Sequence, residues 1–149
     1  MESLLQERTD PADLMDAREQ YLRQCARGEP STASLFRFAH AMIGSKNKLD
    51  VKEGIACFEK LLRDEDDLTS KRDYVYYLAM AHARLKQYDV ALGFIDVLLE
   101  AEEDNQQAKR LKNDIKAAMT HDGLIGAAIV GGGALALAGL VAIFSMSRK

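Results

Sequence analysis

Residues 124–144 read LIGAAIVGGGALALAGLVAIF, and no other stretch of the chain restricts its fold as strongly. As a helix rising about 1.5 Å per residue, these roughly 21 positions span about 30 Å, the thickness of a bilayer's hydrocarbon core. No Asp, Glu, Lys, Arg or His occurs anywhere from 123 to 147. A buried core helix is the competing reading. Against it, Gly131, Gly132 and Gly133 would each weaken a water-soluble helix by about 1 kcal/mol, and the segment has no polar face to meet solvent. A transmembrane helix is therefore expected, with Leu124, Ile129, Gly131, Leu135, Leu140 and Phe144 among its membrane-embedded residues.

Ten of these residues are Leu, Ile, Val or Phe and five are Gly, so the segment is sufficient for insertion without being strongly hydrophobic. Only five residues follow Phe144. Insertion is thus expected after synthesis ends, which leaves the preceding body in the cytosol. Short length, modest hydrophobicity and the basic end Arg148-Lys149 favour the outer membrane of mitochondria, or of peroxisomes, over the endoplasmic reticulum, with those two cations as targeting residues. Small residues four apart (Ala127/Gly131, Ala128/Gly132, Ala134/Ala138/Ala142) suit a close helix–helix contact and a homo-oligomer. They serve equally to tune hydrophobicity. The acidic start Met1-Glu2-Ser3-Leu4-Leu5-Gln6-Glu7 has neither the basic nor the apolar part of a secretory signal. The expected division is an arm over 1–9, a cytosolic body over 10–121, an anchor over 122–145 and a basic tail over 146–149.

The formal net charge is −3. Because Arg148 and Lys149 lie beyond the apolar segment, the body is more acidic than the whole. No Lys/Arg stripe interleaved with aromatics is present to neutralise phosphates, so nucleic acid is not an expected partner. Cys25 and Cys57 form no CxxC and have no neighbouring His cluster, and are expected as buried structural thiols. His40, His82 and His121 lie apart, with no HExxH and no paired Ser/Asp. No Gly-rich loop joins a strand to a helix. A catalytic site, a metal and a cofactor are not expected. The acidic run 100–104 reads as solvated surface, with an ion or basic-partner site as the alternative.

Start and stop signals divide the body into six helices, and no run alternates with period two. Asp10 before Pro11 opens the first, with an apolar stripe of Leu14, Ala17, Tyr21 and Leu22, and Gly28-Glu29-Pro30 ends it. The second follows Ser31 or Thr32 and stops near Gly44. Asp50 with Glu53 predicts a capping box for the third, Ser70 with Asp73 for the fourth, and Asp104 with Gln107 for the sixth. The fifth spans about 88–99. The sixth is expected to run on into the anchor.

The second and third helices repeat the theme of the fourth and fifth. Ala79 and Ala91, like Ala39 and Gly54, are small residues at positions where tetratricopeptide helices cross closely, and Leu78, Leu85, Tyr88, Ile95 and Leu98 fill the gaps. Two such repeats need end caps, which the first and sixth helices can provide. The expected fold is all-α: a six-helix bundle with two central tetratricopeptide-like helix pairs, plus the C-terminal transmembrane helix. A generic six-helix bundle is the alternative.

The stretch KRDYVYYLA at 71–79, followed by Arg84-Leu85-Lys86-Gln87-Tyr88, Ala91-Leu92, NQQAK at 105–109 and DGLIGAAIVGG at 122–132, resembles the mitochondrial fission 1 protein family. The resemblance covers nearly the whole chain. It implies an adaptor in mitochondrial and peroxisomal division, linked to a dynamin-related GTPase or to that enzyme's adaptor proteins. Its departures include Gly44, where the family commonly has an arginine before Ser-Lys, and His40, where a tryptophan is frequent.

In tetratricopeptide arrays the first helix of each pair lines a concave face. Counting from Ala39 and Ala79 places Phe36, His40, Ile43, Asp73, Tyr76, Met80, Ala83 and Arg84 on that face or its edge, and turns Tyr74 and Tyr77 toward the core. Such a groove suits an amphipathic helix or an extended peptide, although core packing is the alternative for any single aromatic. The resemblance further implies that the N-terminal arm lies across the groove, with Leu4 and Leu5 as its apolar contacts. A tail-anchored co-chaperone is a second functional reading. It needs Lys and Asn where Phe36 and His40 stand.

Overall fold

Side-chain caps decide where the helices begin. In the computed structural model, which describes residues 3–123, Asp10 accepts from the Ala12 amide to open α1 (Pro11–Ala26), and Ser31 accepts from Ser34 to open α2 (Thr32–Ile43). Asn47 accepts from Leu49 at the start of α3 (Lys48–Asp64), and Asp67 accepts from Ser70 at the start of α4 (Leu68–Arg84). α5 (Tyr88–Ala101) has no side-chain cap, and Asn105 caps α6 (Gln106–His121) through the Ala108 amide. A short 3-10 turn, Leu4–Gln6, precedes them.

Three caps differ from those expected. Asn47 and Asp67 act one turn ahead of Asp50 and Ser70, and Asn105 replaces Asp104. The physical reason is competition: a nearby Asn or Asp side-chain oxygen reaches the first free amides, releasing the later residue for other work. Asp50 instead accepts from Ser45 Oγ at 2.7 Å and from Arg18 at 3.2 Å, which ties α3 to α1. Gln107, expected to cap back, lines a cavity.

Short connections return the chain, so successive helices run antiparallel and each packs on the next, from α1 on α2 through α5 on α6. The small residues sit at the crossings. Ala39, Ala79 and Ala91 are fully buried, and a Cβ on Gly54 would lie 2.7 Å from Ile43 Cγ2 and 3.0 Å from the Ala39 carbonyl oxygen. Phe38, Phe58, Met42, Leu78, Ile95, Leu111 and Ile115 fill the space between. Burial of such side chains stabilises by roughly 1.5–3 kcal/mol each.

α1 departs from expectation on one face. Tyr21 stacks on Phe38 with ring centroids 4.2 Å apart, but Leu22 is 57% exposed. Its neighbour Cys25 is exposed and Cys57 half-buried, so the expected buried thiols are corrected. The cause is that α1 is a terminal helix packed chiefly on α2, so its far side meets no partner among the described residues. Burial, reinforced by Glu53, still pushes the Cys57 thiol up to about 11.

α6 does not run on past residue 121. Asp122 ends it and Gly123 takes a left-handed φ of 73°, the conformation that glycine adopts after a helix C-terminus. The expected anchor residues Leu124, Ile129, Gly131, Leu135, Leu140 and Phe144, with Arg148 and Lys149, lie outside the described residues. Among those described, no helix is long and apolar enough to cross a membrane.

Candidate partner-binding groove

α4 projects Asp73, Tyr76, Tyr77, Met80 and Arg84 along one stripe, the spacing of three, four and seven that keeps side chains on a common helical face. α2 runs beside it and contributes His40 and Ile43. Between them lies a cavity of about 690 Å³, lined among others by His40, Ile43, Tyr76, Tyr77, Met80 and Arg84.

The N-terminal arm lines one side of this cavity. Leu4 is 9% exposed, joins the core cluster, and donates its amide to Asp114 Oδ2 on α6 at 2.9 Å. Thr9 donates its amide to the Gly44 carbonyl at 3.0 Å and its hydroxyl to the Ala41 carbonyl at 2.9 Å. Arg84 joins arm and groove. Its guanidinium donates to the carbonyls of Ile43 at 2.5 Å, Glu7 at 2.7 Å and Leu4 at 3.3 Å. A planar fork with several donors suits this task, because two of the acceptors belong to the arm and the third to the end of α2. Arg84 Nε is buried without a hydrogen-bond partner among the described residues.

Electrostatics follow from the enclosure. Burial, assisted by Arg8, lowers Arg84 to about 10, which leaves it protonated at neutral pH. Burial and then Arg84 hold the exposed-edged His40 below its usual 6.5, so it is neutral at pH 7. Burial raises Tyr76, with a further contribution from Tyr77. The arrangement offers two tyrosine rings, an imidazole and a buried arginine, with Arg8, Arg37, Glu7, Asp10 and Asp13 also in the lining, which is a recognition surface. Among the described residues no group of three His, Cys, Asp or Glu is placed to hold a metal ion.

The expected groove residues separate into distinct positions. His40, Ile43, Tyr76, Met80 and Arg84 line the cavity together with Leu4. Asp73 lines an adjoining cavity of about 350 Å³ with Arg72 and Glu102, and Tyr76 and Gln107 border both. Phe36 stands behind the wall, edge-on to Phe58 at 5.7 Å and to Tyr77 at 5.8 Å, and stacked on His40 at 6.0 Å. It positions the lining without forming it. Ala83 is 3% exposed and belongs to the core. Leu5 packs against the core as a partly buried neighbour of Leu4.

Tyr77 corrects the expected assignment. Tyr74 is buried as expected, but Tyr77 lines the cavity and meets His40 edge-on at 4.9 Å. The residue following Tyr76 is rotated by about 100° on a helix, yet with Asp73, Met80 and Arg84 it completes the same stripe. Thr9 and Gly44 were also absent from the expected site. Their pairing depends on contact between segments 35 residues apart, for which local spacing carries no signal.

Two family models match the chain: the Fis1 N-terminal tetratricopeptide repeat over residues 33–65 and the Fis1 C-terminal tetratricopeptide repeat over residues 72–124. The FIS1-related protein fis-2 of Caenorhabditis elegans is 82% identical over 147 residues, covering 99% of this chain and 97% of that protein. The mitochondrial fission 1 protein of Homo sapiens is 39% identical, covering 99% and 96%. In fold, the chain is similar to the crystal structure of yeast Fis1 in complex with an Mdv1 fragment containing N-terminal extension and coiled coil domains. That match has a TM-score of 0.69 at 24% identity and covers 79% of this chain and 91% of the other. The crystal structure of fission protein Fis1 from Saccharomyces cerevisiae gives a TM-score of 0.68 at 24% identity, covering 83% and 95%.

Proposed function

Because the chain belongs to the mitochondrial fission 1 family, we propose that it is a non-enzymatic adaptor in mitochondrial division whose groove between α2 and α4 receives a segment of a partner. One observation carries this reading. The groove already holds a peptide, the chain's own arm, gripped through backbone carbonyls by Arg84 and through the apolar side chain of Leu4. A site that binds an extended segment through main-chain groups accepts another segment of similar shape. The yeast relative has been crystallised with an Mdv1 fragment. By analogy the occupant here is an adaptor of that kind, which in turn brings a dynamin-related GTPase to the membrane.

The proposal includes the anchor. With the apolar stretch 124–144 in the outer membrane of mitochondria, and of a share of peroxisomes, the body faces the cytosol. Confinement to a surface then raises the local concentration of recruited machinery without any new contact. Arg148 and Lys149 direct the targeting.

Imaging a fluorescent fusion of the whole chain beside one lacking residues 123–149 tests the reading. Ring-like mitochondrial signal for the first, diffuse signal for the second, and altered mitochondrial length on overexpression are expected. Diffuse signal from both, with unchanged organelles, would contradict it.

A further inference from the structure

The two ends of the helical stack differ in charge, acids being denser at one than at the other. Hydrogen bonds and ion pairs connect the turns at one end. Arg84, at the C-terminus of α4, bonds the Ile43 carbonyl at the C-terminus of α2. Two residues further on, Lys86 pairs with Asp122 at 3.7 Å, and Tyr88 donates its hydroxyl to the same carboxylate at 2.5 Å. The ends of α2, α4 and α6 therefore share one edge. Gly123, from which the chain leads into the apolar stretch 124–144, lies on it.

This edge carries an exposed turn. Lys46 and Lys48 are exposed and form no ion pair among the described residues, and Leu49 between them and the body of α3 is 71% exposed. The Lys86 side chain is 66% exposed. Of the acids nearby, Asp50 holds Ser45 and Arg18, Asp122 holds Tyr88 and Lys86, and Asp10 caps α1 through the Ala12 amide, while Asp13 is exposed. Asp89 is half-buried in the first turn of α5. The opposite edge, where α3 turns into α4 and α5 into α6, carries Asp64, Glu65, Asp66 and Asp67 and then Glu100, Glu102, Glu103 and Asp104. An anionic surface repels that end.

We infer that the Lys46-Asn47-Lys48-Leu49 segment, with Lys86 on the same edge, rests on the anionic headgroup surface of the membrane that holds the tail. Leu49 enters the boundary between headgroups and acyl chains, and the lysines pair with lipid phosphates and carboxylates. The inference rests on the anchor reading above. It adds an orientation: the body stands with its acidic edge outward and its groove open to the side.

The chain contains no tryptophan, so Leu49→Trp creates a single reporter, and Asp66→Trp at the far edge is its control. Each whole-chain variant is reconstituted into vesicles of phosphatidylcholine alone or with phosphatidylserine. Leu49→Trp is expected to show blue-shifted emission, and quenching by acyl-chain spin labels, that strengthen with phosphatidylserine. Asp66→Trp should remain water-exposed throughout. Adding Lys46→Gln and Lys48→Gln should lower the docked-to-free ratio of Leu49→Trp by about fivefold for each lysine. A chain that floats with the vesicles while Leu49→Trp stays as water-exposed as Asp66→Trp overturns the inference. A chain that fails to float at all overturns the anchor reading on which it rests.

Discussion

Thr9 occupies the space that Gly44 leaves open. Its amide donates to the Gly44 carbonyl at 3.0 Å, and a Cβ built on Gly44 would stand 2.1 Å from the Thr9 hydroxyl oxygen and 3.0 Å from the Thr9 backbone nitrogen. The arm's seat is thus set by the absence of one methyl group. Gly44 has an ordinary negative φ, so crowding alone decides the outcome.

Gly44→Ala should unseat the arm. The hydroxyl can rotate away, but the Thr9 backbone nitrogen cannot retreat without losing its hydrogen bond, a loss of about 1 kcal/mol. Cleavage after Arg8 by trypsin should become about fivefold faster at that cost. Equal rates for parent and variant would show that the arm is held elsewhere.

Gly54→Ala should destabilise the body despite improving helix propensity. The added methyl meets Ile43 Cγ2 at 2.7 Å and the Ala39 carbonyl oxygen at 3.0 Å. The side chain can adjust, but the carbonyl moves only if α2 and α3 separate. Overpacking of roughly 1–3 kcal/mol outweighs the roughly 0.5–1 kcal/mol that alanine gains over glycine in a helix. The denaturant midpoint should fall at unchanged slope, and a raised midpoint would refute the close crossing.

His40 should make the body acid-sensitive. Burial and Arg84 hold its folded pKa below 6.5, so the unfolded chain binds its proton first as pH falls. Its contribution is fully present above 6.5 and is lost as pH drops through the folded pKa. His40→Gln should narrow the gap between denaturant midpoints measured at about pH 7.5 and about pH 5.5. An identical gap in parent and variant would exclude this histidine as the source.

The helical order was legible because apolar spacing and punctuation agree: Asp10-Pro11, Gly28-Glu29-Pro30 and Gly44 bound the first two helices where the structure bounds them. Ala39, Gly54, Ala79 and Ala91 marked the crossings, since only small residues let two backbones approach. Three caps were misassigned because several Ser, Asp and Asn residues compete within one turn, and the winner depends on where the preceding helix releases the chain. Leu22 looked buried by periodicity and Cys25 by its thiol's apolar character, but neither signal reveals that a terminal helix has a neighbour on one side only. On α4, spacing put Tyr76, Met80 and Arg84 on the face that lines the cavity, but it missed Tyr77, included the core residue Ala83, and did not separate Asp73, which lines the adjoining cavity. The Arg84 bonds to Ile43, Leu4 and Glu7 were not, because they connect backbone carbonyls whose positions exist only after folding.

The central claim is that the groove docks a partner in competition with the arm, and a binding titration tests it most directly. An adaptor fragment with an N-terminal extension and coiled coil, of the kind crystallised with the yeast relative, is titrated against the whole chain, a chain lacking residues 1–9, and Tyr76→Ala. Removing a competing arm raises the fraction of open grooves, so affinity should rise severalfold on deletion. Tyr76→Ala should cost about 2 kcal/mol or more, near thirtyfold, as the loss of a central aromatic contact. Unchanged or weaker binding on deletion, together with full affinity in Tyr76→Ala, would contradict the account.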